Sequence, residues 1–151
     1  RDVTGVQTCA LPIYQGFINS VFDRSDGKGS ISSKLLYYTH GSGGNSPVTR
    51  GVIKTNRRAA VVEADIFVSG HIHSEWVVNI PRVKVSQRGN IIKAEQTHIA
   101  LGTYKDDSFK SEGVGWADMK EFPPPSMGGC WIRFYYDSPT ESVKYETIRT
   151  I

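Results

Sequence analysis

Cysteine is scarce in this chain: Cys9 and Cys130 are the only two in 151 residues. That is too few for a disulfide framework, and they lack the paired spacing of a metal-binding cysteine motif. No run of eighteen apolar residues occurs, which excludes a membrane-spanning helix, so no membrane partner is expected. Neither sign of charge dominates, with 18 Lys and Arg against 15 Asp and Glu and a net charge of +3. So small a surplus leaves nucleic acid a permitted partner that charge does not indicate. The glycine stretch Gly41-Ser42-Gly43-Gly44 lacks the Lys-Ser/Thr of a P-loop, and no Gly-x-Ser-x-Gly nucleophile elbow is found. What the chain does have is 38% hydrophobic and 11% aromatic residues, enough to exclude wholesale disorder and to build a core of single-domain size.

Arg1 to Ile13 (RDVTGVQTCALPI) shows neither helical nor strand periodicity, and the character changes abruptly at Tyr14. Val3 to Ile13 resembles a translated sequencing-library adaptor. Residues 1–13 are therefore read as a non-native segment and 14–151 as a partial domain. On that reading Cys130 is the only native cysteine, an intramolecular disulfide is excluded, and a cytoplasmic, reducing compartment is favoured. An in-frame adaptor also implies that the native N-terminus lies upstream, which leaves targeting undefined.

Tyr14 to Arg24 is aromatic and β-branched and predicts a strand, and Ser25 to Ser33 has loop composition. Lys34 to Thr39 (KLLYYT) and Ala64 to Ser69 (ADIFVS) are short apolar runs of the buried-strand type. Between them Ser46 suits a helix N-cap and Pro47 the first helical position. Val48, Val52, Thr55, Ala59 and Val62 form one stripe, which turns Arg50, Lys54, Arg57 and Arg58 largely toward water. Strand, glycine loop, helix and strand make a βαβ unit. Glu75 to Ile80, Val83 to Ser86 and Ile91 to Tyr104 predict strands, with a hairpin turn at Gln87 to Asn90. Lys105 to Glu121 is polar, Pro123-Pro124-Pro125 is a break, and Cys130 to Asp137 with Ser142 to Ile148 predict a closing hairpin. The fold class is α/β, one βαβ unit followed by a β-rich sheet.

Three of the four histidines follow the two βαβ strands: His40 after LLYYT, and His71 and His73 after IFVSG. Parallel strands present their C-terminal ends on one edge, where ligands bind. The crossover is thus expected to bring His40 toward His71 and His73, and neutral imidazoles are common ligands of zinc, manganese or iron. A histidine beside a glycine is ordinarily just a loop residue; the shared strand-glycine-histidine context favours ligands here.

Gly70-His71-Ile72-His73 resembles the Gly-His-x-His signature of calcineurin-like metallophosphoesterases, and Tyr38-Thr39-His40-Gly41 resembles the His-Gly element of that family. The resemblance implies the C-terminal part of a four-layer α-β-β-α sandwich. It also implies a binuclear centre of two divalent ions (Mn, Fe or Zn) that hydrolyses phosphate mono- or diesters through a metal-bridging hydroxide. Carried over residue by residue, His40 and His71 would ligate one ion and His73 the other. The family's upstream Asp-x-His, Gly-Asp and Asn-His-Asp/Glu elements do not occur here. The bridging carboxylate and catalytic histidine are then missing, Asp23 and Asp26 are assigned no role, and the chain is expected to be inactive alone. The alternative is a non-catalytic β-rich binding or structural module with incidental histidines. His98, in Gln96-Thr97-His98-Ile99-Ala100, is expected at a packed or surface strand position. Trp76 and Trp116 fit a core as well as a cleft. A sheet deprived of its N-terminal strands is expected to expose an edge and apolar surface.

Overall fold

The computed structural model describes residues 6–8, 14–24, 27, 30–44, 46, 48–86, 88–105, 119 and 124–150. The predicted features at Trp116 and Pro47 lie outside them. Among the described residues there are eight strands and one helix. In chain order they are β1 (Val6–Thr8), β2 (Gln15–Asp23), β3 (Ser30–Thr39), α1 (Ile53–Val61), β4 (Ile66–Ser69), β5 (Trp76–Val85), β6 (Ile91–Ala100), β7 (Gly129–Asp137) and β8 (Ser142–Thr150). The first six strands form one mixed sheet in the order β1-β2-β3-β4-β6-β5, and β7 and β8 form a separate two-stranded sheet. The protein is a strand-rich α/β fold. No described helix is long and apolar enough to cross a membrane.

The βαβ unit is present: β3 and β4 pair in parallel, with Thr39 opposite Ser69, and α1 is the crossover. β4 also runs parallel to β6. With neighbours on both edges and layers on both faces, β4 is the most apolar strand, and Ile66 and Phe67 are fully buried. Phe17, Tyr37, Phe67, His98 and Val78 stand opposite one another across β2, β3, β4, β6 and β5. Their rings meet in sequence, at 5.1 Å for Phe17 and Tyr37, 5.9 Å for Tyr37 and Phe67, and 4.4 Å for Phe67 and His98.

Helix α1 covers this row, burying Thr55 and Ala59. Arg82 Nη2 donates to the Ala59 carbonyl (3.3 Å) and Gln96 Nε2 to that of Ala64 (3.1 Å), fastening the helix end to β5 and β6. On the opposite face the β7–β8 hairpin packs through Phe134 against Phe22, at 5.1 Å. The Tyr145 and Thr97 hydroxyls share a hydrogen bond of 2.8 Å, and the Lys34 ammonium sits 5.9 Å from the Tyr145 ring. Burial pushes the Tyr145 phenol up. Tyr145→Phe is expected to cost about 1 kcal/mol, read as a lower urea midpoint, because Thr97 is left buried with an unmet hydroxyl.

Several boundaries differ from the sequence reading. The helix does not start at Ser46. Residues 48–52 are turns, Arg50 and Gly51 adopt left-handed φ of 43° and 78°, and α1 begins at Ile53 without a side-chain cap. Val48, assigned to the buried stripe, is exposed. Ser30 to Ser33, read as loop, extends β3, because β2 offers pairing partners as far as Asp23. Trp76 to Val85 is one strand that runs through Pro81; β5 is the sheet edge, where a missing N–H costs no ladder bond. β6 stops at Ala100 rather than Tyr104. The expected turn is seen over residues 88–90, with Ser86 N–H bonded to the Asn90 carbonyl at 2.8 Å, while Gln87 lies outside the described residues; the closing hairpin is present. Val83, Val85, Ile91 and Trp131 are exposed apolar side chains on strands.

Candidate metal-ligand site

Thr39 and Ser69 end β3 and β4 side by side, so the residues that follow leave the sheet at one edge. Gly41 makes the close approach possible. Its φ is +90°, and a β-carbon there would stand 2.9 Å from the Gly70 carbonyl oxygen. The two loops are bound to the strand ends: Gly70 N–H donates to the Thr39 carbonyl (3.4 Å) and Gly41 N–H to Thr39 Oγ1 (3.2 Å).

The consequence is a histidine pair. His40 Nε2 lies 3.1 Å from His71 Nδ1, with the ring centroids 5.1 Å apart and the planes at 72°. Tyr14 supports His40 from behind, with its ring edge-on at 5.7 Å and its carbonyl accepting the His40 N–H at 2.7 Å. His71 and His73 both take left-handed backbone, φ 73° and 53°, a conformation uncommon outside glycine and concentrated at functional loops. Ile72 between them sits where a Gly51 β-carbon would fall, 2.9 Å from its Cδ1. The Trp76 indole N–H donates to the Arg50 carbonyl at 2.8 Å. The His71–His73 loop is thereby seated on the turn that precedes α1.

His73 is exposed, and its carbonyl accepts the Ser126 N–H at 3.1 Å. Among the described residues no three His, Cys, Asp or Glu side chains are grouped to hold a single ion; the pair His40 and His71 stands without a third donor there. A single ion with metal–nitrogen bonds of about 2.1 Å sets adjacent ligand nitrogens roughly 3.0–3.4 Å apart, and the 3.1 Å separation of His40 Nε2 and His71 Nδ1 falls in that range. The contact meets the geometry of an imidazole–imidazole hydrogen bond, and its spacing is also that of two positions on one ion.

Lys54, read as a solvated helix residue, instead donates its ammonium to the Ser42 carbonyl and so ties α1 to the glycine loop after His40. Gly51, in the middle of the expected helix, was the available signal for the turn that receives Ile72. Trp76 is half-buried and hydrogen-bonded. Cys130 is half-buried, and burial raises its thiol pKa.

His98 lies elsewhere, inside the layer between α1 and the sheet, 1% exposed and stacked on Phe67. Burial first, then the charges of Arg58 and Arg82, lower its pKa to about 4. It is a packed strand residue, not a member of the surface pair.

Compared with protein-family models, curated proteins and solved structures, the chain returns no match.

Proposed function

We propose that the chain supplies part of the binuclear metal centre of a phosphoesterase, with His40 and His71 as donors to one divalent ion and His73 as a donor to the second. The observation that carries this reading is the 3.1 Å approach of two imidazole nitrogens across adjacent parallel strand ends. When bound, such ions supply Lewis-acid activation of water and neutralise charge on phosphoryl oxygens. This chain's residues present uncharged nitrogen donors, which add no negative charge to repel a phosphate ester. Strand ends and the Gly41–Gly70 contact hold the two rings in place, so little ordering remains to be done on binding. The substrate is a phosphate mono- or diester and the ions are Mn, Fe or Zn. The remaining donors, including the bridging carboxylate, must come from beyond these motifs, so the chain alone is not expected to turn over substrate.

Titration calorimetry with Mn²⁺ and Zn²⁺, paired with elemental analysis, tests the reading. The chain is expected to take up one ion, and His40→Ala or His71→Ala to weaken uptake at least tenfold, the usual scale for losing a ligand or its support. His73→Ala should leave that ion in place. Uptake by the His40→Ala and His71→Ala proteins as strong as that of the unsubstituted chain would refute the site. That outcome favours the alternative of a β-rich binding module, for which Trp131, Tyr135 and Ile148 on the exposed side of β7–β8 are the supporting feature.

A further inference from the structure

We propose that His98 is an acid-operated latch on helix α1: a proton taken from solvent onto its ring expels the imidazole from the inner layer and releases α1 from the sheet. The latch is independent of any ion at His40 and His71.

The geometry is that of a group with nowhere to put a charge. His98 is 1% exposed, and neither Nδ1 nor Nε2 has a hydrogen-bond partner. One face of the ring is taken by Phe67, stacked at 4.4 Å and 10°. Along β6 its same-face neighbours are Gln96 and Ala100, both buried, and across β5 its partner is Val78. The charges that act on it are Arg58 from α1 and Arg82 from β5, both positive. β4 brings Asp65 to the same face, but its Oδ2 accepts the Leu35 N–H at 3.0 Å and its Oδ1 faces Lys84 at 3.7 Å. An imidazolium at this position would be a third cation beside two guanidinium groups, with the carboxylate on that face, Asp65, already engaged by Leu35 and Lys84.

The element that yields is α1. It has nine residues and no side-chain N-cap, a length at which an isolated helix is not stable in water. It is kept in place by Thr55, Ala59 and a few bonds to the sheet, and Arg58, which the new charge repels, is its own residue. The strands β3, β4 and β6 are tied by their ladders and do not depend on it in the same way.

Native-state hydrogen exchange is the test. The folded-state pKa of about 4 lies below the ordinary value of 6.5, so the opened state binds the extra proton. The closed state is therefore favoured above about pH 6.5 and loses ground as pH falls toward 4. Between about pH 7.5 and pH 5, corrected for intrinsic rates, protection of the Thr55–Val61 amides is expected to drop about thirtyfold. Amides of β3 and β4 should lose far less. His98→Phe, which keeps a ring against Phe67, should abolish the drop. An equal fall in β3 and β4 would overturn the latch in wild-type protein alone, whether or not the variant folds. So would a drop that persists in folded His98→Phe protein.

Discussion

Phe67→Ala is expected to lower stability by about 3–5 kcal/mol, a large part of the roughly 5–15 kcal/mol that holds a domain folded. Phe67 is 1% exposed at the middle of β4, with Tyr37 on one side and His98 on the other. Truncation removes the apolar area of a full ring and leaves a cavity between strands locked in register on both edges. Because the backbone cannot close that gap, the cost should fall near the upper end of the range. The loss would also strip His98 of its stacking partner, so Phe67→Ala and His98→Phe should not be additive. Chemical denaturation of the two single variants and the double variant checks both statements. A cost below about 1 kcal/mol for Phe67→Ala would mean that the ring is not packed as described.

The sequence made the β3-α1-β4 unit legible because its signals are local. LLYYT and IFVS are apolar enough to specify buried strands, and the stripe through Thr55 and Ala59 specifies a helix between them. A histidine beside a glycine directly after each strand then locates His40 and His71 at one sheet edge without any knowledge of distance. What was not legible depended on pairing. Ser30 to Ser33 carries little strand propensity beyond Ile31 and extends β3 because β2 lies alongside. Pro81 interrupts the pattern of a strand, and only its edge position makes it harmless. Capping residues at Ser46 and Pro47 point to an earlier helix start than the one observed, whereas Gly51 is left-handed and its missing β-carbon leaves room for Ile72. His98 illustrates the limit most clearly: Gln-Thr-His-Ile-Ala is not an apolar run, yet register sets the imidazole opposite Phe67 and beneath α1.

The second large effect is expected at Gly41, where one methyl group separates the histidine pair. Gly41→Ala places a β-carbon 2.9 Å from the Gly70 carbonyl oxygen, on a residue whose φ is +90°. Backbone is on both sides of the clash, so relief requires the His40 and His71 loops to move apart rather than a side chain to rotate. The expected cost is about 1–3 kcal/mol in stability. Any ion held by the pair should be bound at least tenfold more weakly, since its two nitrogens would no longer share one coordination sphere. Gly89→Ala separates conformational strain from the clash: Gly89 has φ +80° with nothing within 4 Å of its added β-carbon, and it lies in the β5–β6 turn. That variant should cost about 1 kcal/mol through φ alone and leave metal uptake unchanged. Calorimetric metal titration together with thermal unfolding of both variants distinguishes the two contributions. If Gly41→Ala binds metal as the parent chain does, the 3.1 Å approach of His40 and His71 does not govern metal binding in this protein.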